Sequence, residues 1–263
     1  MNGENRVTPR GGPEQPAHRG SIPVGQIWGV EIRLHWTFFG LILLVMWAYA
    51  GAGRRAVESG LLWIVAIFGS VLVHELMHCV VARRRGAVVE DILLMPLGGL
   101  SQMHDMPEAP GDELAIAAVG PLTNFVLALL FMAGGFGSGA RLWPPTLFGG
   151  PWLARLLWMN ILLGAFNLLP AIPMDGGRVL RAALARRHDR RTATAMAARI
   201  ARFCAGAMIL VGFFYDFWLI LIGIFVLLGA SAEEQAATDA NHHRDGTHGS
   251  SPGGTHPVAT GDQ

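Results

Sequence analysis

The sequence predicts an all-α polytopic membrane protein, with about six transmembrane helices and a short membrane-dipping β-hairpin or loop after the second. Two observations predict this class. Charged residues make up only 15% of the chain and hydrophobic residues 52%, whereas a soluble domain carries roughly 25% charged residues. The apolar residues also cluster in long runs, and a helix of about 20 apolar residues crosses a bilayer.

The chain begins and ends with polar segments. Residues 1–24 contain four prolines and no apolar run, so we expect a disordered cytoplasmic tail. Residues 25–232 form the predicted membrane core. Residues 233–263 are polar and rich in glycine, and we expect disorder there too. Weak metal binding is the alternative for this second tail, because it contains histidines. They are His242, His243, His248 and His256.

Apolar runs divide the core into its predicted spans, after a segment at 27–33 that is either a short interfacial strand or an amphipathic lead-in. The runs cover residues 34–53, 60–82, about 114–134, 156–174 and about 194–232. The last run is long enough for two short spans separated by a turn at Tyr215-Asp216. A single long span is the alternative, and it would place the C-terminus on the opposite side.

The segment at 88–103, VVEDILLMPLGGLSQM, lies between the second and third runs. It contains β-branched residues, a proline and a glycine pair, and it is too short to cross a bilayer as a helix. It therefore predicts a strand or hairpin that dips into the membrane interface.

The arginines set the predicted orientation, because short loops rich in Arg and Lys stay cytoplasmic. Thirteen arginines lie before the first run, after the second and after the fourth, against three in the two loops between them. We expect a multi-pass cell-membrane protein with a cytoplasmic N-terminus and, if there are six spans, a cytoplasmic C-terminus. The net charge of +1 and the lack of a basic stripe argue against a nucleic-acid partner.

The chemistry is concentrated in the motif His74-Glu75-Leu76-Met77-His78, inside the second apolar run. Residues four apart share one face of a helix, so both imidazoles can bind one Zn²⁺ while Glu75 acts as general base. A charged residue at mid-bilayer costs about 2.5–3.5 kcal/mol on insertion scales. A purely structural cluster of three ionisable residues is therefore the weaker interpretation.

A catalytic zinc ion needs a third protein ligand and an open position. Asp175 is the best candidate, because it ends the fourth run in a segment broken by Pro170 and Pro173 and followed by two glycines. The alternative is that Asp175 is the N-cap of the basic helix that follows. Asp216 lacks this proline and glycine context and is a poorer candidate.

Four segments together resemble the site-2 protease family of intramembrane zinc metalloproteases. They are HELMH at 74–78, LGG at 97–99, GPLTN at 120–124 and NLLPAIPMDGGR at 167–178. The resemblance covers roughly residues 25–232. From the short loops and the short polar tail we expect neither a PDZ domain nor CBS domains. The chain is therefore most similar to the compact branch that resembles stage IV sporulation protein FB.

The resemblance implies one Zn²⁺ per chain, bound by His74, His78 and Asp175, with Glu75 as catalytic base. It further implies that Gly98 and Gly99 position an unwound substrate and that Asn124 and Asn167 shape the active-site region. Hydrogen bonding between membrane helices is an equally acceptable role for the two asparagines. The implied substrate is a transmembrane protein in the lipid bilayer, such as an anti-sigma factor or a membrane-tethered precursor, cut in regulated intramembrane proteolysis.

Two other functions compete with this interpretation. A divalent metal transporter would also place His and Asp in the membrane, but it does not need a glutamate between two histidines. It would also spread its ligands along a path and often contains an internal repeat. A catalytically inactive scaffold is the third possibility, and the presence of Glu75 argues against it.

Overall fold

The computed structural model describes residues 20–96, 98–107, 109–171 and 174–230. The chain divides into two compact units, residues 1–168 and 169–263. The N-terminal tail up to residue 19 and the histidine-containing tail after residue 230 lie outside the described residues, so their disorder stays a prediction.

Four helices build most of the first unit. They are α1 (Thr37–Tyr49), α2 (Arg54–Arg84), α3 (Pro110–Gly137) and α4 (Trp152–Asn167). α3 packs against both α2 and α4, while α1 packs against α2. α3 begins with a proline, whose missing N–H costs nothing at that position, and has acidic residues in its first turn. α2 ends on Arg83 and Arg84, which interact favourably with the negative end of the helix dipole.

A four-stranded sheet completes the first unit, in the spatial order β1-β2-β3-β4. Its strands are β1 (Ser21–Ile27), β2 (Val30–His35), β3 (Val88–Met95) and β4 (Gly98–His104). β1 with β2 and β3 with β4 are antiparallel, and β2 with β3 is parallel. The predicted hairpin after the second apolar run is therefore present. The mostly helical class is confirmed, but the hairpin belongs to a four-stranded sheet that the prediction did not include.

The first hairpin was missed because its sequence carries only part of the signal. Its two-residue turn, Trp28-Gly29, has positive φ at both positions, 51° and 78°, as a type I′ turn requires. β1 begins at Ser21 rather than at the predicted core boundary of residue 25. Its ladder with β2 holds it there, and Pro23 is tolerated because β1 is an edge strand.

The sheet and α2 share a hydrophobic core. Val30, Ile32, Ile92 and Leu94 from the sheet pack with residues of one face of α2. The α2 residues are Val71, Leu76 and Cys79. This contact sets the rotation of α2 about its axis and leaves a different face for α3.

The second unit contains α5 (Asp175–Leu184), α6 (Arg190–Tyr215) and α7 (Phe217–Ala230). Asp189 caps α6 by accepting a hydrogen bond from the backbone N–H of Thr192 at 3.0 Å. Hydrogen bonds from the side chain and the backbone of Thr192 lower the pKa of Asp189. The break between α6 and α7 lies at Asp216, so the predicted turn is confirmed.

Three helices are long and apolar enough to cross a membrane: α2, α3 and α6. The helical segment Thr37–Ala52 and α7 are apolar but shorter. The first run becomes a helix only from Thr37, because residues 34 and 35 belong to β2. α4 ends at Asn167 rather than at residue 174, before Pro170, whose ring and missing N–H oppose a continuing helix.

Candidate metal centre

His74 and His78 lie one turn apart on the face of α2 that is turned toward α3. Their side chains are buried, with 4% and 3% of their surface exposed. Their Nε2 atoms are 3.1 Å apart. Two histidine ligands of one tetrahedral zinc ion have nitrogens about 3.3 Å apart, given zinc–nitrogen bonds of about 2.0–2.1 Å. The two imidazoles therefore have the spacing that a shared metal ion requires.

Gly120 of α3 keeps the space in front of the two Nε2 atoms open. A Cβ atom at this position would lie 2.7 Å from both Nε2 and Cε1 of His74, and closer still to Nε2 of His78. All three distances are shorter than nonbonded atoms tolerate. Any residue other than glycine would place its side chain where a metal ion bound by both nitrogens must sit.

The other ring nitrogen of His78, Nδ1, forms a hydrogen bond with the backbone of α3. Its Nδ1 donates a hydrogen bond to the carbonyl oxygen of Ile116 at 2.6 Å. A carbonyl can only accept, so the proton is on Nδ1 and the lone pair is on Nε2. This is the tautomer that binds a metal ion, and a backbone carbonyl behind the ring is a common partner of metal-ligating histidine.

The side chain of Asn124 lies behind His74. Nδ2 of its fully buried amide is 3.2 Å from Nδ1 of His74. Metal binding through Nε2 requires His74 to carry its proton on Nδ1 and to donate it to the oxygen of this amide. Among the residues that the structure describes, Oδ1 of Asn124 has no other hydrogen-bond partner. Turning the amide to face Nδ1 with its oxygen satisfies both requirements.

Glu75 points toward the sheet side of α2 and contacts β4. Its Oε2 accepts a hydrogen bond from the hydroxyl of Ser101 at 2.9 Å. A Cβ atom at Gly99 would lie 2.5 Å from Cγ of Glu75, so only glycine lets β4 approach the carboxylate this closely. Gly98 has a φ of +141°, a conformation that side chains disfavour. The glycine pair thus brings the start of β4 against Glu75.

The remaining predicted residues lie at helix ends. Asn167 is the last residue of α4, and its amide donates to the carbonyl of Leu163 within that helix. Asp175 is buried and is the first residue of α5 in the second unit, while Met174 occupies the N-cap position. The N-cap interpretation of Asp175 is therefore wrong, and its role as a metal ligand stays a prediction.

Ser101, Ile116 and Gly120 were not singled out as site residues from the sequence. Ile116, Gly120 and Asn124 are spaced four apart, which places them on one face of α3. This spacing could have identified the α3 face opposite the histidines. Nothing in the sequence indicated that Ser101 contacts Glu75, because that contact depends on how β4 is placed against α2.

Comparison with known proteins identifies the family. The sequence model of the family described as peptidase family M50 matches residues 62–145 and 150–229 of this chain. The chain belongs to peptidase family M50. A solved structure, the site-2 protease from Methanocaldococcus jannaschii, matches with a TM-score of 0.59 and 34% identity, covering 81% of this chain and 95% of that one. The resemblance to the site-2 protease family is thereby confirmed.

Two curated relatives cover most of this chain. A zinc metalloprotease of Methanocaldococcus jannaschii is 35% identical over 219 residues, which is 82% of this chain and 61% of that protein. The Rip3 protein of Mycobacterium tuberculosis is 36% identical over 235 residues, covering 82% of this chain and 59% of that protein. The chain thus spans about three fifths of the length of these relatives. The transporter alternative finds no support among these matches.

Proposed function

We propose that this chain is an intramembrane zinc metalloendopeptidase that cuts peptide bonds in or near transmembrane segments of other membrane proteins. The observation that carries the proposal is the convergence of two buried Nε2 atoms on the space kept open by Gly120. Membership of peptidase family M50 and the activity named for its relatives support the same function.

One Zn²⁺ per chain is held by His74, His78 and Asp175 in this proposal. The spacing of the two histidines and their partners Asn124 and Ile116 support the first two ligands. Asp175 is buried, and its carboxylate is the proposed third ligand. Three ligands leave one tetrahedral position open, as a catalytic site needs.

Glu75 is the proposed general base. It follows His74 directly, and its side chain is only partly buried, so water can reach the carboxylate. Bound zinc would polarise the scissile carbonyl and lower the pKa of the attacking water toward about 7. Glu75 accepts the proton of that water and passes it to the leaving amine. Ser101 and Gly99 hold its carboxylate on the side of α2 where β4 lies.

The substrate is proposed to be a transmembrane helix that has unwound at the cut site, because the backbone of an intact helix is shielded by its own hydrogen bonds. β4 is an edge strand of the sheet and can add an extended segment through its free backbone groups. Gly98 and Gly99 place this edge beside Glu75. Asn167, the last residue of α4, is proposed to shape the active-site region.

We also propose six membrane crossings with both termini cytoplasmic. The three long apolar helices and the shorter α1 and α7 account for five of these crossings, and α4 is proposed as the sixth. His74 lies about ten residues before the arginine-rich end of α2, or roughly 15 Å along the helix axis. Water would have to enter from this end. Signalling precursors and anti-sigma factors are the proposed substrate class, cut in regulated intramembrane proteolysis.

The test compares Glu75→Gln with the wild-type chain in cells that lack the native gene. The variant keeps both histidines but removes the base, so we expect cleavage to fall by about 10²- to 10⁴-fold. Full-length membrane substrates should accumulate, as measured by quantitative membrane proteomics with mapping of new termini.

Glu58→Gln is the matched control. Glu58 lies on the same helix and pairs with Arg54 at 2.7 Å on an exposed surface, so its loss should leave cleavage unchanged. If Glu75→Gln cells show wild-type fragments while cellular zinc shifts, the protease proposal fails and transport replaces it.

A further inference from the structure

The hydroxyl of Ser101 donates a hydrogen bond to the carboxylate of Glu75, the proposed general base. Ser101 lies two residues after Gly99 on β4, and residues two apart on a strand face the same side. Both therefore face α2. Gly99 lies against Cγ, Cδ and Oε1 of Glu75, while Ser101 donates to Oε2 at 2.9 Å.

The direction of this hydrogen bond is determined by chemistry. A hydroxyl has one proton to donate and two lone pairs that accept. An ionised carboxylate only accepts, so the hydroxyl of Ser101 donates to Oε2 of Glu75.

The contacts with Ser101 and Gly99 restrict the orientation of the Glu75 carboxylate. Glutamate has three side-chain torsions and would otherwise sample several orientations at a partly exposed position. With Oε2 bonded to Ser101 and the stem pressed against Gly99, Oε1 is the oxygen left to take a proton. A general base must lie within hydrogen-bond reach of the proton it abstracts, so a fixed orientation contributes directly to the rate.

We propose that Ser101 is a positioning residue that holds the Glu75 carboxylate in its reactive orientation. This inference rests on the proposed role of Glu75 as base. Ser101 then contributes to the reaction rate rather than to the folding of the hairpin. Ser101 does not itself contact the reacting atoms.

The experiment uses the full chain in detergent micelles, loaded with zinc. The probe is a quenched fluorogenic peptide of about 25 residues, an Ala/Leu transmembrane segment with a central Asn-Pro-Gly. Ser101→Thr keeps the hydroxyl, and Ser101→Val has the same shape without it. Both residues suit a strand, so the pair separates the hydrogen bond from the packing of β4.

We expect Ser101→Val to lower kcat by about 10- to 100-fold with KM changed by less than about twofold, because misplacement of a reacting group costs rate rather than binding. Ser101→Thr should recover kcat to within about threefold of wild type. Zinc content per chain should be the same in all three proteins. Ser138→Val, which removes a hydroxyl that donates to the carbonyl of Gly135 on α3, should leave kcat unchanged.

A combined variant isolates the proposed contact. In a Glu75→Gln background, Ser101→Val should cause no further loss, since residues that act as a unit are not additive. Equal kcat values for Ser101→Val and Ser101→Thr, whether high or low, would overturn the role of the hydroxyl while leaving Glu75 as base. Wild-type kcat in Glu75→Gln itself would overturn the base, and the role of Ser101 with it.

Discussion

One side of α2 carries two kinds of buried polar contact. They differ in whether the polar atoms bond to a neighbouring helix or face an open space. Ser70, His74 and His78 follow one another at four-residue spacing and are all buried. Ser70 donates to the carbonyl of Ala66 and accepts from the amide of Asn160 on α4. Nδ1 of each histidine contacts a residue of α3, whereas the Nε2 atoms face the space beside Gly120.

The difference shows that burial of a polar group does not by itself indicate a functional site. The Ser70–Asn160 contact joins two helices and uses the serine hydroxyl in both directions. At the histidines, several contacts orient two lone pairs toward one point beside Gly120. Convergence of ligand atoms on an open space is what distinguishes the metal centre from a helix–helix contact.

Filling that space should have the largest effect. Gly120→Ala places a methyl group against both Nε2 atoms, so we expect zinc per chain to fall below about a tenth of the wild-type value, with loss of cleavage, because a site without a free position cannot bind the ion. Zinc is measured by mass spectrometry after dialysis. Gly134→Ala on the same helix is the control, since its Cβ would meet Leu153 at an ordinary 3.8 Å. Stoichiometric zinc in Gly120→Ala would contradict the proposed position of the metal.

Changing the partner behind His74 should have an intermediate effect. Asn124→Leu removes the acceptor for Nδ1, and we expect zinc affinity to fall by about 10- to 100-fold, as for other partners of metal-ligating histidines. Asn124→Asp keeps an oxygen acceptor and should bind zinc more tightly than Asn124→Leu. Competition with a fluorescent chelator measures both. Equal affinities would mean that Asn124 only joins helices.

Changing the helix–helix contact should have the smallest effect and none on the metal. Ser70→Ala and Asn160→Leu should each leave zinc content unchanged. Their double-mutant cycle should give a coupling of about 0.6–1.7 kcal/mol in the free energy of unfolding in detergent, the range seen for hydrogen bonds between membrane helices. A loss of zinc in Ser70→Ala would mean that the two contacts are not independent.

The sequence predicted the parts of the site that lie on one element. The spacing of His74 and His78 on a helix and the hairpin at 88–103 follow from local patterns, and both are found in the first unit. The parallel pairing of β2 with β3 joins segments separated by the whole of α1 and α2. No local pattern reports such a pairing, so the sheet was predicted only in part.

Contacts between different helices and strands were the second feature that the sequence did not predict. Gly120 and Ser101 matter because of which residues face them, His74 and His78 in one case and Glu75 in the other. That depends on the rotation of α2, which its packing against Val30, Ile32, Ile92 and Leu94 determines. Asn124 was singled out through family resemblance, but its contact with Nδ1 of His74 needed the structure.

The two glycines that approach the site have a genetic consequence. A single base change that replaces glycine by another residue always introduces a larger side chain. At Gly99 such a change meets Glu75, and at Gly120 it meets both histidines. Every missense allele that arises in one step at either codon should therefore inactivate the site while leaving the helices able to form. By contrast, the codons for Gly69 and Gly111, where a Cβ atom would meet nothing within 4 Å, should tolerate alanine in the same screen.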